Sequence, residues 1–345
     1  MKTVSSASAD IALLGDDIAC SCLEAGDGPL FIERVSQRLG VLDGFLAWIK
    51  ATRSVLDRLI CAHGGIVLRG FPINEAADFG AVVGLFPSFE GDYLGGVAPR
   101  ARIAGQVMES TRLDKRVKLR LHSEMAYMQD YPARIAFFCK EVADVGGETI
   151  VADVRGLLQA LPEALRNKVE TQGIMTVRNF APPSDELDPS VAHMDLRGWN
   201  IAFESDDPAV VEEVCKAKGL AVTWNDDRSL TLVNRTAATV VHPSTGQRLY
   251  RANLHSYTST AVNEGMDAAL IQRVRASQKH PSGTFLGSGE PLSGDEVSSF
   301  ESYIEAHTRA WPWRNGDVMI LDNLEMWHGR NPYEGSREVQ VAMLA

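Results

Sequence analysis

Two short pairs of a histidine and a carboxylate are the residues of this sequence best suited to chemistry: His122-Ser123-Glu124 and His193-Met194-Asp195. Two neutral imidazoles and one carboxylate on one face of an iron leave positions open for a chelating cosubstrate and for O2. On a strand, residues two apart point the same way, so such a pair can present both side chains to one ion. Eight histidines and 45 acidic residues in 345 give about one such pair by chance. The doublet alone therefore decides nothing, and its surroundings must.

Those surroundings favour the first pair. Val117-Lys118-Leu119-Arg120-Leu121-His122-Ser123-Glu124 alternates, with Val117, Leu119 and Leu121 on one face and Lys118, Arg120, His122 and Glu124 on the other. The second pair lies in residues 181–200, a Pro- and Asp-rich segment of the kind that covers active sites; His193 there reads as a surface histidine or a lid residue. A third ligand must come from elsewhere, and His328 is the best placed. It follows the turn Trp313-Arg314-Asn315-Gly316, the apolar run Asp317–Leu321 and the polar pair Asp322-Asn323, which sets it at the rim of a sheet. His63, His280 and His307 read as structural, while His242 and His255 stay open. Arg337 opens the last apolar strand, and its planar fork suits a dicarboxylate as well as it suits a surface position.

The elements that must position these residues are mostly strands. Helical periodicity runs through Val41–His63 and stops at Gly64-Gly65; Ile66–Phe71 reads as a buried strand and Glu75–Phe86 as a helix. Arg134–Val142 is a strand, Leu157–Glu170 an amphipathic helix, and helices are expected at Pro208–Lys218, Glu264–Gln278 and Gly294–Thr308. Strand character returns at Leu230–Val241, Arg248–Ala252, Asp317–Leu321 and Glu338–Leu344. Strands that bracket a helical stretch imply a mainly β fold with α insertions, as one domain over residues 1–345. Residues 1–60 would then be a peripheral N-terminal helical segment, with 1–30 weakly ordered, and residues 153–310 largely helical and loop insertions.

Bulk properties exclude several classes. A net charge of −11 argues against a broad nucleic-acid footprint or binding to an anionic membrane. The five cysteines are odd in number and contain no Cys-x-x-Cys pair, which fits reduced thiols better than a disulfide framework. No apolar run approaches membrane-spanning length, and the first residues lack the apolar stretch of a signal peptide. A cytoplasmic enzyme is the expectation.

Several segments, in order, resemble one family. They are Gly65–Phe71, Pro99–Gly105, Leu121–Tyr127, Gly146–Thr149, Gly198–Phe203, His242–Gly246 and His328-Gly329-Arg330-Asn331-Pro332-Tyr333-Glu334-Gly335-Ser336-Arg337. From about residue 60 onward the chain resembles the TauD/TfdA superfamily of Fe(II)/2-oxoglutarate dioxygenases, and within it a SyrP-like branch that tailors amino acids in natural-product pathways. The resemblance implies a double-stranded β-helix, or jelly roll, with the metal between its two sheets. It implies iron ligation by His122, Glu124 and His328, and 2-oxoglutarate contacts from Thr149 and Arg337. Many relatives carry Asp at the Glu124 position. The stretch Leu249–Asn253 departs from a Trp-Phe-Asn-Gln pattern common among them, in a region that shapes the substrate pocket.

The implied reaction uses Fe(II), 2-oxoglutarate and O2 to oxidise an unactivated C–H. Because halogenating relatives replace the carboxylate ligand, Glu124 implies oxygen transfer, with desaturation, cyclisation and epoxidation as variants of the same chemistry. The expected substrate is an amino acid, a small derivative or an aminoacyl group on a carrier protein, with Arg120, Arg251, His255 and Arg330 as candidate anchors. Two readings of other classes share the same residues: a non-catalytic jelly-roll binding protein, and a zinc hydrolase.

Overall fold

A computed structural model of the chain describes residues 3–23, 28–91, 94–95, 102–110, 113–184, 197–255 and 282–345. The expected helix Glu264–Gln278, the pair His193-Met194-Asp195 and His280 lie outside the described residues.

Two sheets dominate. The larger has eight strands in the order Ile18–Ser21, Leu30–Arg34, Gly65–Arg69, Val318–Asp322, Arg134–Glu141, Glu338–Leu344, Val107–Glu109 and Arg102–Ala104. The smaller has four, in the order Thr308–Arg309, Thr149–Asp153, Met326–Arg330 and Leu119–His122. Period-two alternation assigns the faces. On the large sheet, Ile66, Leu68, Ala136, Phe138, Val318 and Ile320 pack against the helices Leu42–His63 and Ala76–Val83. Val67, Ile135, Phe137, Met319, Leu321 and Val341 point the other way, onto Val151 and Met326 of the small sheet. The small sheet's outer face, with Leu121, Ile150, Ala152 and Trp327, is covered by Leu165, Val169, Val297, Phe300 and Ile304 from the helices Glu163–Gln172 and Gly294–His307. Helix, sheet, sheet, helix is the layering, and the two central sheets form the expected jelly roll.

The helix Leu42–His63 shows why these layers hold. Phe45, Trp48, Ile49, Thr52, Val55, Leu56, Leu59 and Ile60 are its buried residues, at spacings of three and four that make one stripe. It stops at Gly64, whose φ of 71° is the left-handed conformation that ends helices, and the chain turns directly into the strand Gly65–Arg69. Arg69 then grips the fully buried Asp317 through Nε and Nη2, at 3.0 and 2.6 Å. That pair fastens the strand to the turn before Val318.

Three expectations change. Residues 18–34 are not peripheral: they add two strands to the large sheet, and Leu14 and Leu30 are buried in its core. The amphipathic run 157–170 is two helices, Leu157–Ala160 and Glu163–Gln172, because Pro162 disfavours helical conformation at Leu161. The segment 153–310 carries an antiparallel sheet of its own, in the order Ala221–Trp224, Leu230–Thr236, Ile174–Phe180 and Ser282–Leu286. Among the described residues no helix is long and apolar enough to cross a membrane.

One buried group opposes the fold. Glu325 is fully buried, and neither carboxylate oxygen has a hydrogen-bond partner. Burial, and then the neighbouring Asp322 charge, push its pKa from 4.5 up to about 7, against the pull of Arg155 and His242. The unfolded chain therefore releases this proton at lower pH than the folded one, so stability falls as pH rises from about 4.5 to about 7, by on the order of 3 kcal/mol in total. Glu325→Gln removes the titration. The difference in urea midpoint between variant and parent should shift in the variant's favour between pH 5 and pH 8, and an equal difference at both would refute the assignment.

Candidate metal centre

The smaller sheet carries the centre. In the antiparallel pair of Met326–Arg330 with Leu119–His122, His328 lies directly opposite His122, and the ring centroids are 4.5 Å apart. The pairing then slips. Arg330 opposes Leu119, so two steps on one strand match three on the other, the signature of a β-bulge. The bulge undoes strict alternation, so that Leu119 and His122 line the same pocket although alternation assigns them to opposite faces. It also needs Gly329: a Cβ there would lie 2.4 Å from the Leu119 carbonyl oxygen.

Glu124 is not on the strand, which ends at His122. It lies in the following turn, 3% exposed, with Oε2 3.8 Å from Nε2 of His328. That distance is too long for a hydrogen bond. One ligand atom from each of His122, Glu124 and His328 falls within 4.8 Å of the others, and among the described residues this is the one group able to hold a metal ion.

The donors are prepared for that role. Nδ1 of His122 lies 2.8 Å from the carbonyl of Arg120. A carbonyl only accepts, so Nδ1 carries the proton and Nε2 offers its lone pair. Nδ1 of His328 is buried without a partner, while Phe137 from the large sheet packs 5.1 Å from the ring. Two imidazoles and a carboxylate whose donor atoms converge fit an ion shared by the three side chains.

Beside the triad, a pocket is lined by Ser110, Leu119, Phe137, Thr149, Arg330, Arg337 and Val339 as well as both histidines. Register explains its position. His328 pairs with Val151 and Arg330 with Thr149, so Thr149 sits two residues, roughly 6.6 Å, along the strand from the level of His328 and on the same face. Thr149 Oγ1 accepts from Trp313 Nε1 at 3.1 Å. Arg337 donates Nε to the Gly147 carbonyl at 2.8 Å, and its Nη2 stands 3.5 Å from Thr149 Oγ1. Among the described residues no carboxylate comes within ion-pair distance of it. Burial, and then the Arg330 charge, lower its pKa to about 10, which leaves it cationic at neutral pH. A half-buried cation that lines a pocket suits an anion.

The other candidate residues have work elsewhere. Arg120 reaches Glu301 on the helix Gly294–His307, at 3.4 Å. Arg251 donates to the carbonyls of Ala126 and Met128, with its guanidinium 3.7 Å above the Tyr131 ring. His255 bonds the Leu121 carbonyl at 3.1 Å and stacks on Trp327 at 4.5 Å; burial pushes its pKa down to about 3, so it stays neutral. Arg330 lines the pocket, but its two terminal nitrogens bond the carbonyls of Leu113, Asp114 and Val117. His242, open from sequence, is structural: Nδ1 accepts from the Ser244 and Thr245 amides and Nε2 lies 3.0 Å from Asp322. Sequence reasoning assigned no role to Asn253, Asn323, Trp313 or Phe137. For the two asparagines no signal existed, since the burial that obliges an amide to find partners is not visible in the sequence.

The family described as taurine catabolism dioxygenase TauD, TfdA family matches residues 35–343. The chain belongs to this family. It is 29% identical over 292 residues, 84% of each chain, to the dapdiamide synthesis protein DdaC of Enterobacter agglomerans. It is 28% identical over 308 residues, 87% of each, to a clavaminate synthase-like protein of Arabidopsis thaliana. Among solved structures it resembles PvcB, an Fe, alpha-ketoglutarate dependent oxygenase from an isonitrile synthetic pathway, with a TM-score of 0.50 and 14% identity over 95% of this chain and 92% of that one. A putative alpha-ketoglutarate-dependent taurine dioxygenase from Burkholderia xenovorans gives a TM-score of 0.51 and 14% identity over the same shares, 95% and 92%. At such identities the structures speak for the fold, the double-stranded β-helix. The protein is thus a 2-oxoglutarate-dependent non-heme iron dioxygenase whose cofactors are Fe(II) and 2-oxoglutarate, with His122, Glu124 and His328 as the candidate facial triad.

The bulge gives a direct test. Gly329→Ala forces the added carbon onto a backbone oxygen and should cost about 1–3 kcal/mol. Gly294→Ala, where nothing lies within 4 Å of the added carbon, should cost nothing. Urea denaturation of both reads the difference; equal stability would mean that the close approach does not constrain the bulge.

Proposed function

We propose that this dioxygenase hydroxylates an unactivated C–H of an amino acid, an amino-acid derivative or a carrier-bound aminoacyl group in specialised metabolism, as a SyrP-like member of its family. The observation that carries the reading is the pocket that runs from the His122–His328 pair to a half-buried, cationic Arg337. Bound Fe(II), with 2-oxoglutarate and O2, supplies the oxidising power, and succinate and CO2 leave as coproducts. The chain's own residues do the rest. Arg337, with Thr149 beside it, holds the remote carboxylate of 2-oxoglutarate; Leu119, Phe137 and Val339 keep water from the chelating end. The Arg120 carbonyl fixes the tautomer of His122.

For the substrate, two things support the amino-acid class. DdaC, to which the chain is 29% identical, is a dapdiamide synthesis protein. A second cavity, bordered by Met125 next to Glu124, is lined by Glu90 and Asp130 as well as Lys218, charges that complement an ammonium and a carboxylate. We read residues 1–345 as one catalytic domain working in the cytoplasm.

Two measurements test this. With 2-oxoglutarate, Arg337→Ala loses charge-assisted hydrogen bonds worth about 1.5–3 kcal/mol, so its KM for 2-oxoglutarate should rise roughly 10- to 100-fold. An unchanged KM would take Arg337 out of the site. Anaerobic Fe(II) with 2-oxoglutarate should give a visible charge-transfer band in the parent and none in His328→Ala. A panel of free and carrier-bound amino acids, scored by succinate release, then reads the substrate class; no stimulation by any of them sinks the amino-acid proposal.

A further inference from the structure

A carboxylate ligand that sits beyond the end of its strand has no sheet to hold it, and the residue after it is strained. Met125 has a φ of 53°, a left-handed conformation unusual for a side chain of its size, and it is buried. Something else must define where the Glu124 backbone lies.

Two asparagine side chains do. Ser123 donates its amide to Asn253 Oδ1 at 3.0 Å, and Asn253 Nδ2 donates back to the Ser123 carbonyl at 3.1 Å. Glu124 donates its amide to Asn323 Oδ1 at 2.8 Å, and Asn323 Nδ2 donates back to the Glu124 carbonyl at 3.0 Å and to that of Pro132 at 2.8 Å. The Ser123 hydroxyl adds a bond to the Asn323 carbonyl at 2.9 Å. A carboxamide presents the donor and acceptor of a peptide group. Each asparagine therefore replaces one rung of the ladder that ended at His122. Both are buried, Asn323 completely.

Asn253 is the middle of a longer device. Arg251, Asn253 and His255, two residues apart, bond backbone groups of residues 126 and 128, 123 and 121 in turn. This short stretch is a side-chain ladder laid along the turn that carries Glu124. Asn323, from the end of the strand Val318–Asp322, grips the same turn from the large sheet.

We infer that Asn253 and Asn323 are positioning residues that set the metal affinity of the centre by fixing the backbone of Glu124. The inference rests on the metal-centre reading above. Neither residue touches the ion; both act through the carboxylate.

Mn(II) binding, read from the electron paramagnetic resonance of the free ion, tests this without turnover. In Asn323→Ala and Asn253→Ala the dissociation constant should rise roughly 10- to 100-fold, the usual cost of losing an outer-shell partner. Thr52→Ala, in the helix Leu42–His63 and bonded to the Trp48 carbonyl, serves as a destabilised control and should bind as the parent does. In a Glu124→Ala background, Asn323→Ala should add no further loss. Parent-like Mn(II) affinity in the folded asparagine variants, or an additive loss without Glu124, overturns the inference. If the alanine variants do not fold, Asn323→Asp decides: it keeps the acceptor for the Glu124 amide and loses the donor to its carbonyl, so parent-like affinity there overturns the inference too. Should the parent fail to bind Mn(II), or His328→Ala bind equally well, the metal-centre reading itself fails. When the parent binds and His328→Ala does not, the metal centre stands and the asparagine variants alone decide the inference.

Discussion

The register that sets His328 opposite His122 is the constraint from which the site follows. Antiparallel pairing leaves directly opposed residues only about 4.5–5.5 Å apart at their backbones, so two imidazoles in one rung converge on one point. The next rungs then have no freedom. Thr149 must stand beside Arg330, and the bulge in Leu119–His122 turns Leu119 to the same side. A shift of one residue would send both histidines to the opposite face, among Leu121 and Trp327 under the helical layer. Gly329 guards this register, because only a residue without Cβ lets the two strands approach so closely at the bulge.

Burial between two sheets gives the site its electrostatic character. Val67, Ile135, Met319 and Leu321 keep the space beside Val151 and Met326 dry, so charges there act at low effective dielectric. Arg330 and Arg337 each lower the cost of binding an anion and each suffer for it, since burial depresses both pKa values. Arg330 offsets this by committing its nitrogens to three carbonyls of the segment that leads into the His122 strand. Arg337 has fewer such contacts, a carbonyl and a distant hydroxyl.

What could be read from sequence follows the range of the interactions involved. The strand character of Arg134–Glu141 and Glu338–Leu344 and the helical stripe ending at Gly64 are local patterns, and the structure bears them out. His328, expected at the rim of a sheet, is instead the middle residue of an inner strand, because its sheet neighbours come from distant parts of the chain. The bulge is not local: it is a mismatch of counts between two strands about 200 residues apart, and either strand alone reads as regular. Asn253 and Asn323 are equally silent, because an asparagine bonded to backbone and one bonded to water look alike in a sequence. Arg251 and His255 were legible as unusual but not as ladder residues, since their partners are carbonyls, which carry no sequence signal. The break at Pro162 was legible and outweighed by the amphipathic period around it. The sheet within 153–310 was hard to see, as its edge strand Ala221–Trp224 has only four residues, with Val222 and Trp224 half-buried and Ala221 and Thr223 exposed.

The place of Glu124 shows where strand alternation alone falls short. Residues two apart on one face of a strand are separated by about 6.6 Å, whereas the three donor atoms here fall within 4.8 Å. A straight strand would ask the glutamate side chain to lean back over that difference. Ending the strand at His122 and turning the chain at Met125 closes it through the backbone instead. The consequence is a peptide segment without a partner strand, and the two asparagines answer it by supplying rungs from the large sheet and from the 251–255 stretch. The carboxylate is therefore held by two parts of the chain that meet only in the folded protein. Where the carboxylate of the pair His122-Ser123-Glu124 stands is thus fixed by that convergence, and not by the strand that carries His122.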